Sequence, residues 1–351
     1  MVPGSACVRA IAPNPYPPSP VSLKIIDSWV RDATVPAVAA AVVTAEGVVE
    51  TRCAGDAQES SLFALASLTK PLVALAAMVA AEEGAIDLDA PVGEYLPAFR
   101  SSSRAAITPR HLLSHASGLP ESASVADPLE VEPVTPPATR RIYSNEGYAV
   151  LGLLLTAATR IPHPEYVREA VFEPLGMDAR LGLDEADEGR ALPVREPGLY
   201  RPGLALFNSR AWRQRAGAAG GAFATVGAYA RFVQCLLQRG APLLAEETFD
   251  EFAAVQFPGL AGGIESFLTW ERADWALGCD VRDGKRPHWT GDACSPPTLS
   301  HFGASGTLFF ADPTPGIGLV CLANRGTYSG WAMRPDRWPD LCMRVLAGAV
   351  A

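Results

Sequence analysis

What this 351-residue chain lacks narrows its roles first. No apolar run is long enough to span a bilayer; the two most apolar stretches, Leu72–Ala81 and Tyr148–Ala158, are about half the length needed. The first twenty residues hold Pro3, Pro13, Pro15, Pro17, Pro18 and Pro20 but no continuous hydrophobic segment, so they read as an extended arm and not as a secretory signal. There is no Cys-x-x-Cys, and the seven cysteines are scattered and odd in number. That pattern fits reduced, mostly buried thiols in a cytoplasmic protein, and none has a base nearby in sequence that would make it a nucleophile. Positive charge is in the minority: the net charge of −9 argues against a nucleic-acid partner. Internal repeats and low-complexity tracts are also missing.

What remains is globular in composition, 48% hydrophobic and 19% charged, and long enough for a large core. One stretch carries chemistry, Ala66-Ser67-Leu68-Thr69-Lys70-Pro71. The Ala-, Leu-, Val- and Met-rich segment Leu72–Glu83 that follows reads as a helix stopped by Gly84. Pro71 is tolerated because it falls in the first turn. Ser67 then stands at the helix start, with Lys70 one turn on and on the same face. A serine hydroxyl needs a neighbouring base before it attacks, and a lysine serves only when neutral. Leu62, Phe63, Leu65, Leu68 and Leu72 could desolvate it, and the positive helix end would favour an oxyanion beside Ser67. Taken alone, Ser-x-x-Lys recurs by chance, and the pair reads first as a capping serine and an exposed lysine.

Elsewhere the pattern is coarse. Val21–Asp32 predicts an amphipathic helix, and Val38–Val43 with Val48–Cys53 a hairpin across Thr44–Gly47. Thr108 and Pro109 open a further helix as cap and first residue. Tyr148–Thr159, Pro164–Phe172, Val226–Arg239 and Ala245–Val255 read as helices. Glu121–Thr139, Leu181–Gly203, Gly259–Gly263 and Arg282–Pro297 read as loops. Near the end, Leu299–Phe302, Gly306–Ala311 and Gly316–Leu322 are strand-like, before a closing helix Trp338–Val350. Strands at both ends with helices between predict an α/β chain of the α+β type: one antiparallel sheet built from both termini, with an inserted helical region. The expected layout is an arm over 1–20 and one catalytic domain over 21–351. Its sheet part covers about 21–66 and 265–351, its helical part about 67–264.

Three further stretches complete a pattern: Ile107-Thr108-Pro109-Arg110-His111-Leu112-Leu113-Ser114-His115-Ala116-Ser117-Gly118-Leu119-Pro120, then Tyr143-Ser144-Asn145, then His301-Phe302-Gly303 ahead of Ser305-Gly306-Thr307. With Ser67 and Lys70, their order and spacing resemble the class C β-lactamase-like serine hydrolases, a family that includes penicillin-binding-protein-like D-peptidases, family VIII esterases and some acyltransferases. The resemblance runs from about Val21 to the C-terminus. It implies that Ser67 attacks the acyl carbonyl and that Lys70 and Tyr143 share the proton, with the choice of base left open. It also implies that Asn145 orients Lys70 or binds the substrate carbonyl, and that the N–H groups of Ser67 and Ala304, the latter following Gly303, form an oxyanion hole. Singly, Tyr143 could be a core aromatic, Asn145 a turn residue and His301 a strand-end residue; the ordered set favours function. His111 and His115 are spaced like a zinc pair, but Leu112 occupies the place of the glutamate, so they are expected to pack and hydrogen-bond.

One departure bears on substrate. His301 stands where the resemblance expects a lysine, and Phe302 where it expects a small hydroxyl residue. A neutral imidazole offers no fixed charge to a substrate carboxylate. The sequence therefore favours an esterase or amidase acting on a small-molecule ester, amide or acyl donor. An acyltransferase in small-molecule biosynthesis is the alternative, ahead of a true β-lactamase, a D-peptidase or a silent binding protein. No cofactor and no metal is implied, nor a nucleic-acid or membrane partner; the oligomeric state is not legible.

Overall fold

The computed structural model describes residues 23–101, 103–122, 127–195 and 206–350. The Pro-rich arm, Cys7 and the later part of the acidic loop fall outside them. In the first half of the chain the elements are α1 (Ile25–Arg31), β1 (Ala37–Thr44), β2 (Gly47–Gly55), β3 (Phe63–Ala64), α2 (Thr69–Glu82), α3 (Pro109–Leu113), β4 (Arg141–Ile142) and α4 (Asn145–Thr159). Then come α5 (His163–Val167), a π-helical turn Arg168–Phe172, β5 (Ala179–Leu181), α6 (Arg210–Gln214), β6 (Ala222–Ala224), α7 (Val226–Leu237) and α8 (Glu246–Ala253). The chain closes through β7 (Gly262–Ile264), β8 (Leu268–Trp270), β9 (Asp280–Val281), β10 (Leu299–Gly303), β11 (Thr307–Asp312), β12 (Ile317–Ala323) and α9 (Trp338–Val350).

The main sheet is antiparallel throughout, in the order β2-β1-β12-β11-β10-β9, so both ends of the chain build it. Its central strands are buried on both faces, and alternation along them divides the core in two. Ala37, Ala39, Ala41 and Val43 enter one apolar cluster together with Phe309, Val320 and Leu322. Val38, Ala40 and Val42 enter the other with Leu308, Phe310, Leu319 and Cys321. Helix α7 covers the first face, while α1 and α9 cover the second. Helix α2 is apolar nearly all round and lies among α4, α5 and α8. Its Leu72, Val73, Leu75 and Met78 are fully buried, each worth about 1.5–3 kcal/mol of transfer free energy.

Two small sheets, β3-β6-β5 and β4-β7-β8, are not foreseen by the sequence, which reads Gly259–Gly263 as loop. Strands of two or three residues carry no periodicity to detect. No helix among the described residues is long and apolar enough to cross a membrane. The thiols of Cys235, Cys279, Cys294, Cys321 and Cys342 are free and buried, and Cys53 is free and half-buried.

Candidate active site

The chain reaches Ser67 through a sharp corner. After β3, Ala66 takes a left-handed backbone (φ 48°), uncommon for a residue with a Cβ, and a 3₁₀ turn over Ala66–Leu68 leads into α2. Ser67 is half-buried at that turn, at the positive end of the helix. Lys70, one turn later, is completely buried. Its Nζ lies 3.2 Å from Ser67 Oγ, 2.8 Å from Asn145 Oδ1 and 2.7 Å from the Ala219 carbonyl oxygen. The two carbonyl oxygens can only accept. A neutral Lys70 therefore donates to both and turns its lone pair towards the Ser67 hydroxyl. Burial pushes the Lys70 pKa down to about 7, against a smaller upward pull from Glu121. The ammonium also sits 4.7 Å above the Tyr143 ring.

Ala219 has no signature in the sequence, because a backbone atom does the work. The Gly217–Gly221 turn places it: a Cβ on Gly221 would stand 2.4 Å from Gly217 N, so the turn closes only with glycine there. Ala222 N–H to Thr69 Oγ1 (3.0 Å) and Leu65 N–H to the Ala222 carbonyl (2.9 Å) pin the turn to the Ser67 corner.

Tyr143 and Asn145 come from the junction of β4 and α4. Ser144 caps α4, accepting the Gly147 N–H at 2.8 Å and donating to the Pro120 carbonyl at 2.7 Å. That fixes Asn145 in the first turn, facing Lys70. The Tyr143 hydroxyl is buried and has no hydrogen-bond partner of good geometry among the described residues. Burial raises its pKa well above the usual phenol value; an interaction with Ser67 opposes this without overcoming it.

On the other side, Gly303 ends β10 against the corner. A Cβ there would meet the Leu65 carbonyl oxygen and Thr307 Oγ1, both at 2.3 Å, so glycine is what brings Ala304 beside Ser67. Because β9 pairs only with Leu299 and Ser300, this end of β10 is a sheet edge. Strand parity sends His301 to the same face as Gly303. It is 1% exposed, its ring 5.7 Å from that of Tyr143, and it stands behind the tyrosine instead of on the cleft wall. Its Nδ1–H donates to the Phe302 carbonyl at 2.7 Å, leaving Nε2 as a buried lone pair, and burial drives its pKa to about 3. Phe302, on the opposite face, does line the cleft and packs on Phe267 (5.4 Å) and Trp289 (4.9 Å).

The cleft above Ser67 has a volume of about 500 Å³. Besides Phe302 and Phe267, its walls carry Tyr328, Ile264 and the edge-to-face pair Phe207–Trp212, with Arg215 exposed at the wall. Sequence reasoning missed these, since they come from segments far apart in the chain: Phe207 before α6 and Trp212 in it, Ile264 at the end of β7, and Tyr328 after β12. Glu121, also on the wall, is held by the Ser266 N–H and hydroxyl. His111 caps α3, its Nδ1 bonded to Thr108, and stacks on Phe257, whereas His115 turns towards Tyr143. Among the described residues no three His, Cys, Asp or Glu side chains gather as a metal site.

Residues 24–338 match the protein family described as Beta-lactamase. The solved structure of a beta-lactamase from Mycobacterium bovis is 34% identical, covers 93% of this chain and 100% of that one, and gives a TM-score of 0.71. EstCE1, described as a hydrolase with promiscuous acyltransferase activity, shares the fold over 93% of this chain and 97% of its own, at 17% identity and a TM-score of 0.69. Penicillin-binding protein 4* of Bacillus subtilis is 30% identical over 138 residues; the match spans 34% of this chain and only 30% of that protein.

Proposed function

The chain belongs to the Beta-lactamase family of serine hydrolases, and on that premise we propose that it cleaves a small ester or amide through an acyl-enzyme on Ser67. The observation that carries this reading is the buried Lys70, balanced near neutrality with its lone pair turned to Ser67. At pH 7 about half of the lysine is neutral and can take the Ser67 proton as Oγ attacks the carbonyl carbon. The N–H groups of Ser67 and Ala304 receive the oxyanion. Tyr143, whose raised pKa keeps it a phenol, hands its proton to the departing oxygen or nitrogen and is reprotonated by the Lys70 ammonium. Lys70 is then neutral again. In the second half a water gives a proton to Lys70 and its oxygen to the acyl carbon, and the proton returns to Ser67 Oγ. Lys70 is thus the base and Tyr143 the donor. His301, neutral and buried, offers no cation, and the aromatic walls fit an apolar, uncharged substrate portion.

Fluorophosphonate labelling tests this. One adduct should form, on Ser67. Ser67→Ala should remain folded, lose the adduct and lose p-nitrophenyl butyrate hydrolysis. Wild-type rates in that variant would overturn the assignment. A cleft of about 500 Å³ also has room for an acceptor beside the acyl group, which favours acyl transfer as a second reading. Added alcohols would then divert the acyl-enzyme into new esters.

A further inference from the structure

His115 takes no part in the proton path above, yet it is bound to the tyrosine segment on three sides. Its imidazole lies against the Tyr143 ring, centroids 4.3 Å apart. Its Nδ1 accepts the Ser144 N–H at 3.0 Å, and its main-chain carbonyl accepts the Ile142 N–H at 3.0 Å. The residues before and after Tyr143 are therefore tied to one histidine, and Tyr143 itself is pressed on that residue's ring. Because Nδ1 accepts, the ring proton is on Nε2, so a single neutral tautomer is held. Burial and the nearby charges of Lys70 and Arg141 keep the imidazole neutral. Trp275 meets the imidazole edge-on at 5.2 Å and also contacts the Tyr143 ring, at 5.8 Å. His115 also has a left-handed backbone, φ 58°, a strained state that persists only where the surroundings over-determine it.

The Tyr143 hydroxyl makes no good hydrogen bond among the described residues, so its place is set by its ring and main chain. Elsewhere Tyr143 meets the rings of His301 at 5.7 Å and Trp275 at 5.8 Å, both farther off than His115, and its N–H donates to the Gly263 carbonyl at 2.9 Å. Resting on the assignment of Tyr143 to the proton path, we propose that His115 is the positioning residue of Tyr143, a bracket that fixes the phenol hydroxyl against Ser67 and Lys70. It touches neither substrate nor the transferred proton.

Two variants separate this role from general stability. In His115→Asn, Oδ1 occupies roughly the place of Nδ1, and asparagine tolerates the left-handed backbone. His115→Gln instead keeps an amide near Nε2 and loses the acceptor for Ser144. A displacement of the order of 1 Å at a reacting group costs about 100-fold in rate. With p-nitrophenyl butyrate, His115→Gln should lose about 100-fold in kcat with KM changed less than threefold, and His115→Asn, which keeps the acceptor but not the ring, should recover to about threefold to tenfold below wild type. Melting curves establish that both are folded at the assay temperature. Wild-type kcat in a folded Gln variant, an Asn variant no better than Gln, or a KM that rises as far as kcat falls would each overturn the bracket. If the Gln variant does not fold, Asn decides alone: a kcat at least threefold lower at unchanged KM upholds the proposal, and wild-type kcat refutes it. A wild-type enzyme with neither ester turnover nor Ser67 labelling would be a different failure, that of the function on which this rests.

Discussion

Replacing Asn145 with aspartate puts a negative charge where a carbonyl oxygen now stands 2.8 Å from Lys70 Nζ. In the wild-type site, burial has moved the lysine from 10.5 to about 7, a difference equivalent to about 5 kcal/mol in favour of the neutral amine. The neutral form is the base, so kcat/KM should climb with pH through about 7 and fall about tenfold per unit below it. An adjacent opposite charge typically shifts a pKa by about 1–3 units towards the charged form. In Asn145→Asp the limb should therefore move up to about 8–10. Activity at pH 7 drops about fivefold to 500-fold and returns in alkaline buffer. The assay is kcat/KM for p-nitrophenyl butyrate across pH 5–10, corrected for spontaneous hydrolysis. A limb that stays near 7 in the variant, or a wild-type profile flat between 6 and 8, would refute Lys70 as the base.

The same burial predicts a stability effect. The folded pKa of Lys70 lies below the unfolded one, so the unfolded chain binds more protons between about 7 and 10.5; the cost is complete below 7 and disappears as pH rises through 10.5. Lys70→Met should abolish turnover yet raise Tm at pH 7 by a few degrees, and by less at pH 10; an equal change at both pH values contradicts the argument. Nitrocefin and p-nitrophenyl butyrate given to one preparation should separate, the ester being turned over and nitrocefin poorly, because His301 turns inward and presents no cation to the cleft. Efficient nitrocefin turnover without ester hydrolysis would overturn the substrate reading. Gly303→Ala must push β10 off Leu65, so a loss of about 1–3 kcal/mol in stability and about 100-fold in kcat is expected; a variant with wild-type kcat means the strand is not what places Ala304.

Much of the site was legible because its parts are short and local. Ser67 and Lys70 share a helix face through a three-residue spacing, and Tyr143 and Asn145 stand two apart in one motif of the ordered set. The antiparallel sheet was legible too, since β1, β11 and β12 are long enough to show their pattern. His301 was not, in one respect: its place in the motif suggested a substrate contact, and only the parity of β10 shows that it turns inward with Gly303 while Phe302 turns to the cleft. The Ala219 carbonyl, the Tyr328 and Phe207–Trp212 walls and the His115 bracket depend on distant segments meeting, which no local spacing records.

The pairing of β1 with β12 has a consequence for how the molecule comes into being. Val38 sits opposite Ala323, 285 positions later, in the middle of the main sheet. At roughly 5–20 residues per second of synthesis, β1 waits on the order of 15–60 seconds for its partner. Through that interval its other neighbour, β2, is available, but the faces of both strands lack the layer that β11 and β12 complete. A two-stranded hairpin is marginal in water, so the nascent chain carries an apolar strand it cannot yet bury. Closing so long a loop by diffusion adds only slowly to the entropic cost but weighs on the rate. The Ser67 corner, wedged between β3 and β10, can therefore assemble only after the last strands have been made. The candidate site therefore takes shape late: the Ser67 corner has its geometry only once β10 and β11 have been made.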